Sequence, residues 1–191
     1  MGKWQFEFLR GQGLVPQDYL LDVGCGALRG GIHFVAYLEP GHYAGIDCNA
    51  SYVEVGGRLE LTRAGLEDRR PSLLANVDFE VGRFGRTFNF ALAQSLFTHL
   101  PVNAIQRCLV NVTAVLQPGG RFFATYFDAP TVHHLDRIQH PSGVETYSDR
   151  NPYHYHASIF AYLATSLPLR VESLGLCNHP RGQSMLVFHR S

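Results

Sequence analysis

Residues 20–31 of the 191-residue chain read Leu-Leu-Asp-Val-Gly-Cys-Gly-Ala-Leu-Arg-Gly-Gly. The apolar run from Tyr19 to Val23 predicts a buried strand that ends directly in glycines, and a helix is predicted from about Gly30 to Leu38. Glycines at such a turn let the backbone approach a ligand closely, and the free N–H groups at the start of a helix attract an anion. The stretch therefore predicts a binding site where the strand gives way to the helix.

Two side chains distinguish this turn from a dinucleotide-binding turn. The pattern GxGxxG begins at Gly24 and requires a glycine at position 29, where this chain has Arg29. Asp22 precedes the first glycine and suits an ammonium group better than a pyrophosphate. Asp47 ends the second predicted strand, where a carboxylate can accept hydrogen bonds from both hydroxyls of an adenosine ribose. Two alternatives remain: a purely structural turn, and a capping role for Asp47 at the following helix.

Strand and helix signals alternate along the rest of the chain, which predicts a mostly parallel sheet covered on both faces, in a single domain over residues 1–191. Residues 128–152 form a polar segment with several prolines, an expected insertion. The short link between the last two strands predicts an antiparallel hairpin. The further strands are predicted at 43–46, 77–81, 88–93, 121–126, 169–174 and 184–189, and the further helices at 2–11, 51–64, 102–116 and 153–166.

Composition limits the classes of protein to which this chain can belong. Hydrophobic residues make up 46% and charged residues 17%, which is typical of a globular protein. Lys+Arg and Asp+Glu both number 16, a balance that argues against a dedicated nucleic-acid binder. No apolar window is long enough for a membrane span, so we expect no membrane partner. Four widely spaced cysteines indicate reduced thiols and a cytoplasmic location.

Four segments, in their order and separations, resemble the class I S-adenosylmethionine-dependent methyltransferases, and most of all their small stand-alone bacterial members. The segments are Asp22–Gly26, Gly45–Asp47, Phe88–Ser95 and Leu116–Arg121. The resemblance covers nearly the whole chain. It implies a Rossmann-like, three-layer α/β fold with a seven-stranded sheet of order 3-2-1-4-5-7-6 and an antiparallel last strand. It also implies S-adenosyl-L-methionine as the donor and S-adenosyl-L-homocysteine as the product.

The chain departs from the family pattern at three positions. The third glycine of the turn is Leu28, the acid often found after strand three is Arg83, and the acid often seen in strand four is Asn89. We therefore expect adenine to be held by the backbone and by Phe84. The donor-binding residues implied by the resemblance are Asp22, Gly24, Cys25, Gly26, Arg29, Asp47, Cys48, Arg83, Phe84, Gln94 and Ser95.

Acceptor-side residues are expected along the carboxyl edge of the sheet, where ligands bind in α/β proteins. His99, His154 and His156 are the candidates for a catalytic base, with a packing or capping role as the alternative for His99. The segment 128–158 is the expected lid over the acceptor. The expected substrate-binding residues are Tyr126, His179, Arg181 and Gln183. A simple hairpin turn also explains the loop 178–183.

Several histidines are neighbours in the sequence, such as His133 and His134, and histidine is a common metal ligand. No HExxH or Cys/His pattern accompanies them, so we predict no metal site. The leading function is methyl transfer to a small-molecule acceptor, with oxygen as the commonest acceptor atom in the family that the chain resembles. The alternatives are an RNA or protein methyltransferase and a non-catalytic cofactor-binding module. Nucleic-acid enzymes often carry Asn/Asp-Pro-Pro-Tyr/Phe after strand four, where this chain has Ala93-Gln94-Ser95-Leu96.

Overall fold

The computed structural model describes all residues 1–191 and shows a central sheet with helices on both faces. A π-helical stretch, Gly56–Glu60, joins the third and fourth helices. The elements of the first part of the chain are α1 (Gly2–Gly11), β1 (Leu20–Val23), α2 (Gly31–Tyr37), β2 (Tyr43–Asp47), α3 (Ala50–Val55), α4 (Leu61–Ala64) and β3 (Ser72–Ala75). Those of the second part are β4 (Phe88–Ala93), α5 (Val102–Val115), β5 (Leu116–Asp128), β6 (Ile138–Gln139), β7 (Glu145–Thr146), β8 (His154–Tyr155), α6 (Ser158–Ala164), β9 (Leu169–Gly175) and β10 (Ser184–Arg190).

The sheet runs in the order β3-β2-β1-β4-β5-β10-β9, and β10 is antiparallel to both of its neighbours. Counted over its seven principal strands, this is the order 3-2-1-4-5-7-6, so the predicted fold class is confirmed. The carboxyl ends of β1, β2, β4 and β5 lie at one edge. Because β10 is antiparallel, with Ser184 opposite Tyr126, the loop before β10 also lies at that edge.

The core forms two apolar clusters, one on each face of the sheet. Leu21 and Val23 of β1 face the cluster that includes α5 and α6, whereas Leu20 faces the cluster that includes α1 and α2. Because helices cover both faces, β1 is apolar at nearly every position rather than at alternate ones. The apolar residues of α5 recur at helical spacing and are buried in the cluster that also contains residues of β4 and β5. No helix combines the length and apolar composition needed to cross a bilayer.

The third strand lies at Ser72–Ala75, where it pairs with β2, and the predicted strand at 77–81 is wrong. The alternating apolar residues of 77–81 are typical of a strand, but the Asn76 side chain prevents it. Its oxygen accepts hydrogen bonds from the backbone N–H groups two and four residues later, at 2.8 and 3.0 Å. Phe79 has φ +59, a turn conformation. A local side-chain bond thus overrides the strand pattern.

The predicted helix at 153–166 begins later than expected, at Ser158. Its first residues instead form β8, which pairs with Phe127 and Asp128 at the end of β5. β5 itself extends well beyond the predicted 121–126. The extended end of β5 has backbone groups that need partners, and the returning insertion supplies them.

Candidate active site

The turn after β1 is fixed by left-handed backbone at two glycines. Gly24 has φ +80 and Gly26 has φ +55. A side chain at Gly24 would also approach Leu96 Cδ1 at 3.2 Å, so glycine is needed there for both conformation and space. The Gly26 N–H donates to Asp47 Oδ2 at 2.8 Å, which ties the turn to the end of β2. The turn therefore holds its shape through contacts within the protein.

Asp47 is half-buried at the end of β2, and both of its carboxylate oxygens accept backbone hydrogen bonds. Oδ1 accepts from the Asn49 N–H at 2.8 Å. The side chain of Asn49 in turn accepts from the N–H groups of Ser51 and Tyr52, so Asn49, and not Asp47, caps α3. A carboxylate oxygen can accept more than one hydrogen bond, which leaves Asp47 able to bind ligand hydroxyls as well.

Asp22 is a buried carboxylate on the central strand, with 4% of its surface exposed. It accepts a hydrogen bond from the Tyr43 hydroxyl at 2.7 Å. Burial raises its pKa to about 6; the Tyr43 hydrogen bond opposes that rise, and the nearby Asp47 charge adds to it. An ammonium group beside Asp22 would offset the cost of keeping its charge buried.

Two cavities lie on either side of Gly24, which lines both of them. The first, of about 350 Å³, is mainly polar. The second, of about 140 Å³, is mainly apolar and includes Val77, Phe79 and Leu96. Of the predicted site residues, the first cavity brings together Asp22, Gly24, Cys25, Gly26, Arg29, Gln94, Ser95 and Arg181. The second brings together Gly24, Asp47 and Cys48.

Helix α1 forms one wall of the first cavity through Gly2 and Gln5. The contact with the glycine turn is tight, because a side chain at Gly30 would meet Gln5 Oε1 at 2.2 Å. Trp4 of the same helix stacks on Phe8, with ring centroids 5.5 Å apart, and meets the ring of His179 edge-on at 4.8 Å. The sequence analysis did not predict that Gly2 and Gln5 of α1 line the site.

His179 connects the loop before β10 to the end of β4. Its Nδ1 accepts hydrogen bonds from the backbone N–H groups of Arg181 and Gln183, at 3.1 and 3.3 Å. Burial, and then the Arg181 charge, lower its pKa to about 4, so the ring is neutral and its one proton is on Nε2. The Gln94 amide nitrogen stands 2.6 Å from that Nε2. Two N–H donors do not bond, so the network requires the Gln94 amide to turn its oxygen toward His179.

Ser95 is held at the carboxyl edge by two hydrogen bonds, one to β5 and one to the loop before β10. Its N–H donates to Thr125 Oγ1 at 2.6 Å, and its hydroxyl donates to Gln183 Oε1 at 3.0 Å. Its backbone is left-handed, with φ +55, a conformation that costs energy for a residue other than glycine. Gln183 is buried and reaches the site only through Ser95.

The three histidines predicted as bases line neither cavity. His99 is exposed, with Nδ1 2.7 Å from Asn151 Oδ1, and His156 contacts the hydroxyls of Thr131 and Ser158. Their part in catalysis stays a prediction.

The third, His154, is buried and uses both ring nitrogens inside the insertion. Nε2 donates to the His134 carbonyl at 3.1 Å, so Nδ1 accepts from the Thr146 hydroxyl at 2.8 Å. The Thr146 hydroxyl oxygen lies 2.8 Å from His140 Nε2, which extends the chain of hydrogen bonds. These bonds hold the insertion together, and any catalytic role of His154 stays a prediction.

Three further predicted residues lie outside both cavities. Arg83 is paired with Glu80 at 3.5 Å, and Phe84 packs against the core. Tyr126 is buried, and its hydroxyl donates to Asp128 Oδ1 at 3.2 Å. The apolar cavity is lined instead by the turn at 77–79, which the misplaced third strand concealed. The Asn-x-Asp pattern at Asn76 was the one signal that pointed to a turn there.

Residues 21–122, more than half of the chain, match the family model described as "Methyltransferase domain". The matched span begins in β1 and ends within β5, so it includes the glycine turn, Asp47 and the end of β4.

Several solved structures share the fold over the full length of this chain. A magnesium protoporphyrin IX methyltransferase from Synechocystis PCC 6803, solved with bound S-adenosylmethionine, is 13% identical with a TM-score of 0.71; the match covers 100% of this chain and 80% of that one. The YcgJ protein from Bacillus subtilis is 12% identical with a TM-score of 0.71 and coverages of 100% and 99%. An S-adenosylmethionine-dependent methyltransferase from Clostridium acetobutylicum is 10% identical with a TM-score of 0.73 and coverages of 100% and 90%. At these identities the likeness is one of fold.

Proposed function

The chain belongs to the methyltransferase domain family, and from this premise we propose that it transfers the methyl group of S-adenosylmethionine to an oxygen atom of a small-molecule acceptor. The family supplies the reaction type and the donor. Oxygen is the acceptor atom that the family resemblance implies most often.

The observation that carries the proposal is a pair of cavities that share Gly24 as a lining residue. One cavity is polar and contains a buried carboxylate, Asp22, whereas the other is apolar and includes the carboxylate of Asp47. S-adenosylmethionine has the same division, with a charged amino-acid half and a nucleoside half joined at sulfur. A ligand that occupies both cavities would have its sulfur close to Gly24.

Each half of the donor finds groups of suitable chemistry in this chain. In the polar cavity, Asp22 would hold the ammonium group and Arg29 the carboxylate. At the apolar cavity, Asp47 would accept the two ribose hydroxyls, and Phe79 and Leu96 would contact the adenine ring. The residues present therefore fit this donor.

The bound donor supplies a methyl group that positively charged sulfur has already activated. The protein has to align the acceptor with that methyl group and to exclude water. Ser95 and Gln94 line the polar cavity, and their positions are set by bonds to Gln183 and His179. Helix α1 covers the same cavity through Gly2 and Gln5, and so shields it from solvent.

Calorimetry with purified protein tests the donor assignment. We expect S-adenosylmethionine or S-adenosylhomocysteine to bind with micromolar affinity, about 8 kcal/mol. Asp47→Ala should weaken that binding by about 2–3 kcal/mol, because charge-assisted hydrogen bonds to the ribose are lost. The fold should survive, since the side chain is only half-buried.

Asp18→Ala is a matched control, because Asp18 also accepts a backbone hydrogen bond, from Val15 at 2.9 Å, but at the opposite end of β1. It should leave donor affinity unchanged. Binding of NAD without binding of S-adenosylmethionine would contradict the proposal. Unchanged affinity in a folded Asp47→Ala protein would reject the ribose assignment.

A further inference from the structure

Two arginines on the wall of the polar cavity carry charges that no protein group neutralises. Arg29 and Arg181 are exposed, and neither makes an ion pair or donates a side-chain hydrogen bond within the protein. Most other arginines of the chain are bonded, as Arg107 is to Asp78 and Arg69 is to backbone carbonyls. Guanidinium groups match carboxylates in shape and charge, so the cavity wall offers two places for anionic groups.

The two arginines come from different elements, and the donor has only one carboxylate. Arg29 belongs to the glycine turn after β1, on the donor side of the cavity, and under the proposed function it holds the donor carboxylate. Arg181 belongs to the loop before β10, which His179 and Gln183 anchor beside Gln94 and Ser95. This leaves Arg181, which lines the same cavity, without a partner either in the protein or on the donor.

Of the other titratable groups around this cavity, which include the α-amino group of Met1, three already have their hydrogen bonds or protons fixed within the protein. Asp22 accepts the Tyr43 hydroxyl, and burial raises the pKa of the Cys25 thiol well above its usual range. His179 is neutral and uses both ring nitrogens in hydrogen bonds within the protein. An acceptor that arrives already ionised matches this lining, because its reaction needs no proton to be removed.

We propose that the acceptor is a small carboxylate held by Arg181 and that one carboxylate oxygen is the atom methylated. This inference rests on the proposed function and names its acceptor class. The carboxylate oxygen supplies the electron pair for the new carbon–oxygen bond, the methyl–sulfur bond breaks, and its pair remains on sulfur. No proton moves, and the products are a methyl ester and S-adenosylhomocysteine.

Electrostatic attraction favours binding of the acceptor before methyl transfer and release of the product after it. Before transfer, the acceptor anion is attracted both by Arg181 and by the donor's positive sulfur. After transfer, the ester is neutral and loses its ion pair with Arg181, so it dissociates readily. A cavity of about 350 Å³ that also holds the amino-acid half of the donor is at the small end for ligand sites, so the acceptor is small.

The first test measures binding rather than turnover. Protein loaded with S-adenosylhomocysteine is titrated with acetate, benzoate and succinate, and with acetamide, benzamide and succinamide. At least one carboxylate should bind about tenfold or more tightly than its amide, since a charged hydrogen-bonded pair is lost in the amide. Arg181→Gln should abolish this preference and leave S-adenosylhomocysteine affinity unchanged, whereas Arg181→Lys should retain part of it.

Arg170→Gln is the matched control, because Arg170 is an exposed arginine of β9 that pairs with Glu172 at the sheet edge. It should leave the preference intact. Equal binding of every carboxylate and its amide would overturn the proposal. Failure of S-adenosylhomocysteine to bind would overturn the proposed function as well.

The second test examines the product of the reaction with methyl-labelled donor and a small-molecule extract. Methyl esters hydrolyse in mild alkali and release labelled methanol, whereas methyl ethers and methylated amines are stable. We expect the label to become volatile on alkali treatment and to be absent when Arg181→Gln is used. Label that survives alkali would overturn the carboxylate assignment while leaving methyl transfer itself established.

Discussion

The buried carboxylate of Asp22, which we propose binds the ammonium group of the donor, lowers the stability of the unliganded protein. Its carboxylate is buried, and the single hydroxyl of Tyr43 compensates its charge only in part. The pKa is therefore higher in the folded protein, at about 6, than the ordinary value of 3.8. Because the native state binds this proton more tightly than the unfolded state does, stability falls as pH rises between these two values and stays lower above pH 6.

Asp22→Asn should therefore stabilise the unliganded protein while impairing donor binding. At pH 7 the free energy of unfolding should rise by about 1–2 kcal/mol, and the gain should vanish near pH 4, where wild-type Asp22 is protonated. Donor affinity should fall by about 2 kcal/mol, because the ammonium loses its charged partner. Denaturation as a function of pH, with calorimetry on the same samples, measures both effects.

Asp68→Asn is the control for this experiment, since Asp68 is an exposed acid in the loop before β3. It should change neither stability nor binding beyond small surface effects. Wild-type donor affinity should also decline as the pH drops below about 6, when Asp22 takes up its proton. An Asp22→Asn protein that is less stable at pH 7 and binds the donor normally would contradict this account of the residue.

At the scale of elements, α1 joins the site to the loop before β10. Trp4, the only tryptophan of the chain, contacts His179 of that loop, while Gln5 lies against the glycine turn. Gly2 and Gln5 of α1 and Arg181 of that loop line the polar cavity, so a ligand bound there would contact both elements. Binding should therefore order α1 and change the surroundings of Trp4.

Intrinsic fluorescence measures this effect without a label. Addition of S-adenosylhomocysteine should shift or quench the Trp4 emission, with the same midpoint as the calorimetric titration. The Asp47→Ala protein should need a higher ligand concentration for the same change. Unaltered emission at a concentration where calorimetry shows full binding would mean that α1 does not respond to the ligand.

The sequence predicts the strands and helices whose positions follow from a regular apolar pattern. It predicts an element wrongly where a single side chain changes the local backbone. β1, β2 and β4 follow from their apolar runs, and Asp22 and Asp47 follow from their spacing to the glycines. β3 was misplaced because the Asn76 side chain turns the chain where alternation favours a strand. β8 was predicted as helix because its pairing partner, the end of β5, lies 27 residues earlier in the chain.

The sequence predicts a site residue when its place follows from the end of a strand, and misses one whose place depends on tertiary packing. Residues in the turns after strands, such as Ser95 and Arg29, lie at the cavity because parallel strands end at one edge. Gln5 was missed because its position depends on how α1 packs across the turn. The buried bonds of His154 were missed because they depend on how the insertion folds on itself.

In the whole molecule, the order and direction of the strands place the candidate site residues at a single edge of the sheet. The glycine turn, Asp47 and Gln94 follow parallel strands there, and the antiparallel β10 adds the loop with Arg181. The insertion at 128–158 leaves from the same edge after β5, and β8 returns to it. We propose that this segment covers the acceptor, within a single domain formed by the chain.

The fate of a labelled methyl group shows whether the protein transfers methyl groups to a small molecule. Protein is incubated with methyl-labelled S-adenosylmethionine and a cell extract, which is then separated into small-molecule, RNA and protein fractions. We predict label in the small-molecule fraction, with little transfer by Asp47→Ala at the same donor concentration. Label confined to RNA or protein, or normal donor binding with no transfer to any fraction, would contradict the claim.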